Sequence, residues 1–220
     1  MVVTFVFSSD PAKIRKLDKK RLNKQRIEAN QILDTITGKS KGWQNHPAVK
    51  MWIGHENALK VYINNCIRAW RDLGYNCALE EYEIDETDID WPWWYTWKPL
   101  HLSHKCSLLR KNPEHYEKIF KLSKTEKEWL NHGYIWPSKL NKKILKGIDD
   151  GKTFKPIEIC DPIGMGAPAQ YRWTLEEVLE WKNNKTVNPK TGKTINPKSK
   201  TGVYSDVKKA YGYYKEQEMI

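Results

Sequence analysis

The chain of 220 residues contains no run of eighteen apolar residues, so no part of it is expected to cross a membrane as a helix. Cysteine is scarce. Cys66, Cys77, Cys106 and Cys160 form no CxxC pair and no even framework, which argues for free thiols in a reducing compartment and against a secreted disulfide scaffold. Phosphate-binding glycine motifs are also missing: Gly164-Met165-Gly166 is too short to count as one, and no GxSxG supports serine hydrolase chemistry. Val2 to Phe7 is too short, and lacks the basic lead, for a secretory signal, and it reads as a short strand or extended arm.

What is present suffices for a real core. Apolar residues make up 39%, with eleven Trp and eleven Tyr, and the length suits one domain or one domain plus a small appendage. The net charge of +11 favours an anionic partner. Its distribution says more than its total. The first fifty residues and the stretch after Trp181 are basic, whereas Glu80 to Asp90 is an acidic block expected to be a solvated loop. Basic ends combined with many aromatics point to nucleic acid, and no basic amphipathic stretch has a clean apolar face for a membrane surface.

Helical periodicity dominates the first 140 residues. A basic helix is expected from Asp10 to about Gly38, with Ile14, Leu17, Arg21, Lys24, Gln25, Glu28 and Ile32 within one arc. The stripe that should face the core therefore turns charged for about two turns. A buried charge must be paired, so Arg21 and Glu28 fit the floor of a cleft; a helix that rolls and leaves them solvated fits the same pattern. After a polar turn, Gly38 to Gly42, Pro47 opens a long helix that Gly74 ends, with Cys66 on its apolar side. The segment Trp91 to Trp97 reads as a packed irregular loop whose rings mostly fill the core, although flat rings also serve to stack on opened bases.

A third helix is expected near Pro99 to Lys111 and a short fourth from Pro113 to about Lys121. Tyr134 to Pro137 should pack back on the domain, and Lys142 to Gly151 form a short basic helix. Pro156 to Pro168 reads as a linker. Beyond it, a helix from Thr174 to Lys182, two Asn-Pro-Lys turns and a last helix from Tyr204 to Tyr214 make a small module.

Two constellations carry chemistry. Val2, Arg21, Gln25, Arg26 and Glu28 would set a carboxylate beside guanidinium groups, suited to an oxocarbenium-like centre and proton transfer at a glycosidic carbon. A covalent route needs an amine that is neutral near pH 7, and an α-amine at about 7.7–8.0 meets this more easily than lysine at about 10.4. Valine is small, which favours removal of Met1 and exposure of the Val2 amine. His101 and His104, three apart on one helical face, suit phosphate contact better than a metal site, which lacks further ligands. His46 and His55 fit either the cleft or core and capping roles.

The segments Leu17 to Leu33, Asn45 to Trp52, His101 to Lys105 and Arg110 to Tyr116 occur in an order that resembles the bacterial branch of the pyrimidine-dimer DNA glycosylase family, whose founder is the phage endonuclease V. The resemblance covers about residues 1–137. It implies a compact helical fold, Val2 as the N-terminal nucleophile, Glu28 as the catalytic glutamate, Arg21 in the cleft and His55 in the Gly-His pair of the second helix. It also implies Schiff-base chemistry that expels a base and then cleaves the strand by β-elimination. The arginine that precedes the phage glutamate is Ile27 here, with Arg26 one residue away, and the arm before Glu28 is several residues longer. Asn188 to Ile195 followed by Tyr204 resembles the two-cysteine adaptor module of large DNA viruses, without its flanking cysteines.

The sequence thus leads to a mainly α protein: a helical glycosylase domain over 1–140, a linker and packing segment over 141–172, and a basic adaptor-like module over 173–220. The expected activity is a DNA repair glycosylase with AP lyase activity on damaged or modified pyrimidines, cyclobutane dimers first. No cofactor and no metal are expected. Val2 and Glu28 are the catalytic pair, and Arg21, Lys24, Gln25, Arg26, His55, His101, His104, Lys105 and Arg110 are the DNA contacts. The partners are double-stranded DNA and a protein or DNA bound by the C-terminal module, for a monomer in a reducing intracellular compartment, host cytoplasm, viral factory or virion. The alternative is a non-catalytic nucleic-acid-binding or virion-packaged protein on the same fold.

Overall fold

Residues 2–85, 87, 89–164 and 168–220 are described by a computed structural model of the chain. Met165 and Gly166, and with them the Gly164-Met165-Gly166 segment as a unit, lie outside the described residues. The first element is an extended arm, Val2 to Phe7, with every residue buried. It pairs with no strand; its own peptide groups close tight turns, Val6 N donating to the Thr4 carbonyl and Phe7 N to that of Phe5, each at 3.1 Å.

The expected first helix divides in two. A 3₁₀ helix, Pro11–Lys16, is followed by Leu17 in extended conformation, and α1 then runs over Lys19–Ile36. Asp18 causes the division. Its carboxylate accepts the Arg21 N–H as an N-cap and also accepts the hydroxyl of the buried Tyr116 at 2.7 Å. The second expected helix divides likewise into α2, Pro47–Lys50, and α3, Glu56–Asp72. Gly54, at φ +83°, takes the left-handed turn between them, and Gly74 at φ +80° follows the end of α3.

α1 packs along α3, and α4, Lys98–Lys111, completes the central group. Leu22, Ala29 and Ile32 of α1, Leu59, Ile63 and Ile67 of α3, and Leu100 and Leu108 of α4 are fully buried in one cluster. The tryptophan-dense segment forms a 3₁₀ turn, Trp93–Thr96, in which Trp94 is buried and donates to the Met51 carbonyl, whereas Trp93 is exposed. Short helices α5, Pro113–Tyr116, and α6, Lys124–Lys127, lead to Ile135, which is wholly buried.

Residues 156–164, the described part of the stretch expected to be a linker before Pro168, pack on the core. After α7, Lys142–Asp149, comes α8, Pro156–Ile159, whose Ile159 enters the core, and Cys160 bridges to Ile135. Gly133 shows how closely this strap lies: a Cβ there would stand 2.4 Å from the Asp161 carbonyl oxygen. A separate cluster forms from α9, Leu175–Asn183, and α10, Gly202–Glu216, around Trp173, Val178, Trp181, Val207 and Ala210. Between these helices Asn188 to Gly192 turns back so that Val187 bridges Thr194, as the Asn-Pro-Lys turns imply. Among the described residues there is no sheet, and the fold is mainly α.

Candidate active site at the amino-terminal arm

The arm is held by a side chain that behaves as a peptide group. Gln25 Oε1 accepts the Phe5 N–H at 2.7 Å and Gln25 Nε2 donates to the Val3 carbonyl at 2.9 Å. Tyr62 donates to the same Gln25 oxygen at 2.8 Å, and Trp52 Nε1 donates to Thr4 Oγ1 at 2.9 Å. A strand without a ladder must satisfy its polar groups elsewhere. Gln25 is fully buried because the arm covers it, so it positions the arm and has no surface for DNA. This corrects its expected role as a DNA contact.

The clamp brings the start of the chain to Glu28. Val3 N lies 3.4 Å from Glu28 Oε2, a long contact, and the Val2 nitrogen is one residue, about 3.8 Å of chain, further along. The longer segment before Glu28 folds into the 3₁₀ helix and the Asp18 break and does not hold the arm away. Burial raises the pKa of the Glu28 carboxyl, opposed by the Val3 N–H and the charges of Lys24 and Lys111. Burial lowers the pKa of the Lys111 ammonium, helped by the neighbouring Arg21 and Arg110 cations and opposed by Glu28. Burial thus moves both groups toward their neutral forms. Arg21 joins them by donating to the Lys111 carbonyl at 3.2 Å, and Lys24 is exposed one turn before Glu28.

Lys111 also lines a cavity of about 210 Å³ together with His46, Arg110, Tyr134, Trp136 and Lys139. Arg110 lies at the cavity but is 3% exposed, its guanidinium donating to the Leu130 carbonyl at 3.0 Å and to Ser107 Oγ at 2.7 Å. The hydroxyl of Tyr134 is buried without a hydrogen-bond partner of good geometry among the described residues. Burial lowers the pKa of His46, a cap of α2, which favours its neutral ring. A mostly apolar cavity with cationic and aromatic side chains in its lining suits part of a nucleotide. Lys111, Tyr134 and Trp136 were missing from the sequence-derived set, since only the packing of residues 133–136 on α4, where Ile135 N donates to Ser103 Oγ at 3.3 Å, brings them together.

The other expected contacts are dispersed. His104 is buried in the core, where Nδ1 accepts the Val6 N–H at 3.0 Å, and desolvation pulls its pKa down to about 3. A neutral ring without accessible surface cannot contact phosphate, which corrects the expectation for His104. His101 turns to the Tyr95 carbonyl at 2.7 Å, in a separate pocket shared with Lys105, Lys13 and Lys16. Arg26 points away from the cleft, bonded to Asn23 Oδ1 and lying 5.1 Å from the Trp70 ring centroid. His55 sits before α3 with Nδ1 3.1 Å from the Asp90 carbonyl, in a separate pocket with Glu56 and Asn57. Among the described residues no cluster of three or more His, Cys, Asp or Glu side chains is arranged to hold a metal ion.

Residues 2–81, the arm, α1, α2, α3 and the loop beyond, match the family described as pyrimidine dimer DNA glycosylase. Comparison with curated proteins and with solved structures gave no match.

Proposed function

With the pyrimidine dimer DNA glycosylase family of residues 2–81 as the premise, we propose that this chain is a DNA glycosylase with AP lyase activity that uses the Val2 amine and Glu28. The match implies pyrimidine-dimer glycosylase activity and a DNA substrate. The observation that carries the finer reading is the arm itself: clamped by Gln25, it ends beside a carboxyl whose pKa burial raises.

After removal of Met1, the neutral Val2 amine attacks C1′, and the electron pair of the glycosidic C–N bond leaves with the base, which takes up a proton. Nitrogen loses a proton, and the C1′–O4′ bond opens with its electron pair on O4′, which takes up that proton, to give the iminium. Glu28 accepts the C2′ proton, the C3′–O bond breaks with its electron pair on the phosphate, and water releases the amine. Arg21, Lys24 and Lys111 hold phosphate charge, so binding falls steeply with salt. The protein acts as a monomer in a reducing compartment, and the basic C-terminal unit tethers it to DNA or to a protein.

Borohydride trapping on an abasic duplex and on a UV-irradiated duplex tests this. An adduct that maps to Val2 is expected on both, and Glu28→Gln is expected to slow abasic-strand cleavage by about 10²–10⁴-fold while still binding DNA. Normal cleavage by Glu28→Gln overturns its role. An adduct on Lys111, whose ammonium shares the cavity wall and has a lowered pKa, would move the nucleophile there.

A further inference from the structure

Trp43 is 50% exposed and takes φ +61°, a left-handed conformation that a bulky side chain rarely adopts. Its neighbours hold it there. The Gly42 carbonyl accepts the buried Thr35 hydroxyl at 2.8 Å, and the Trp43 carbonyl accepts the His46 N–H at 2.7 Å. Ser40 N ties the loop to the Asp34 carbonyl at 3.0 Å, and Ser40 Oγ accepts the Gly42 N–H at 3.1 Å. A strained residue that its surroundings over-determine is a sign of a function served by its position.

The position is next to His46 of the cavity lining, with Trp43 itself outside that lining. The Trp43 ring meets His46 edge to face at 5.8 Å between centroids, and His46 meets Trp136 in the same way at 5.6 Å. Both His46 and Trp136 line the cavity that Lys111 shares. Trp43 is the outer end of this row of rings, and the exposed Lys39 and Lys41 flank it on the same loop. A rigid, projecting, flat ring between cations fits a base stack bounded by phosphates.

We propose that Trp43 is a wedge that enters the base stack of duplex DNA and fills the space left when a nucleotide swings out toward the cavity. This rests on the reading of DNA as substrate and extends it to the step before chemistry. Extrusion leaves a gap in the stack, and an aromatic ring in the gap offsets part of the cost of unstacking. The preset backbone keeps the ring projecting in the free protein, so little order is lost on binding.

The test uses the full chain and a duplex with a tetrahydrofuran abasic analogue flanked by 2-aminopurine, whose fluorescence rises when it unstacks. Trp43→Gly is the informative variant, since glycine accepts the left-handed backbone and the fold is expected to keep or raise its Tm. Wild type is expected to raise the fluorescence severalfold at saturation. Trp43→Gly is expected to bind but give little rise, and Trp43→Phe to restore most of it. Borohydride trapping is expected to fall at least tenfold for Trp43→Gly on an abasic duplex and less than twofold on an abasic single strand, which has no stack to open. Equal fluorescence from wild type and Trp43→Gly, or equal loss on both substrates, overturns the wedge. Unstacking by wild type without any covalent adduct leaves the wedge standing and instead removes the lyase reading.

Discussion

His104 shows what burial does to a single ionisable group. Its ring accepts the Val6 N–H and cannot carry a second proton without leaving the core, so it stays neutral down to about pH 3. The unfolded chain binds that proton near pH 6.5. The stability held by His104 is therefore complete above 6.5 and declines as pH falls, by about 1.4 kcal/mol per unit until about pH 3. His104→Asn keeps an acceptor for Val6 and removes the titration. Urea unfolding at pH 7.5 and pH 5 is expected to show about 2 kcal/mol less acid loss in the variant. Glu28 has the opposite sign for a carboxyl in a stable fold. Its raised pKa means that ionisation costs stability as pH rises through the folded value, so Glu28→Gln is expected to melt no lower than wild type at neutral pH. Such a result would mark Glu28 as a residue kept for chemistry.

At the scale of elements, the arm and α1 form one unit through Gln25. Replacement by Leu preserves volume and helix preference but orphans the Phe5 N–H, the Val3 carbonyl and the Tyr62 hydroxyl. With about 1–3 kcal/mol for each buried group left unpaired, part of it recovered by local relaxation, a loss of roughly 2–5 kcal/mol is expected in chemical unfolding. Val2 would also lose its fixed place, so trapping by folded Gln25→Leu is expected to drop further than its DNA binding. Equal losses in both would mean that Gln25 serves stability alone. The core-facing stripe of α1 could be read along the sequence, and so could the anomaly of polar residues on it. What covered those residues could not. Periodicity gives the direction of a side chain but not the partner opposite, and here the partner is an arm with no strand neighbour. Asp18, followed three residues later by the N–H it caps, was a readable signal for the break that divides the first helix.

Across the whole molecule two apolar clusters are distinct, and the second depends on a buried polar group. Asp206 pairs with the Arg172 guanidinium and accepts the Trp173 indole N–H at 2.8 Å. Asp206→Ala leaves a largely buried cation without this partner, a loss of about 3–5 kcal/mol in comparable sites. Calorimetry is expected to show the C-terminal transition moving to lower temperature while the transition of the arm-bearing core and trapping on abasic DNA stay in place. A single transition that moves as a whole would mean that the clusters fold together. The strap from α8 to Gly164 joins the first core through Ile159 and Cys160, whereas Ala169 and Arg172 pack with the second cluster.

Family resemblance pointed to an N-terminal amine and Glu28 as the pair to test, and by itself the sequence determined the helical class, the main helices and the basic character. These follow from periodicity, caps and composition, which are local. The tertiary structure decided which polar residues face a cleft and which are buried. It placed Gln25 and His104 inside as partners of the arm, turned Arg26 and His55 elsewhere, and gathered Lys111, Tyr134 and Trp136 around one cavity. It also set Trp43 next to His46 of the cavity lining in a strained conformation. The reason is that backbone polar groups must be satisfied wherever the chain happens to cross, and the crossings of the arm and the strap join residues twenty to a hundred positions apart.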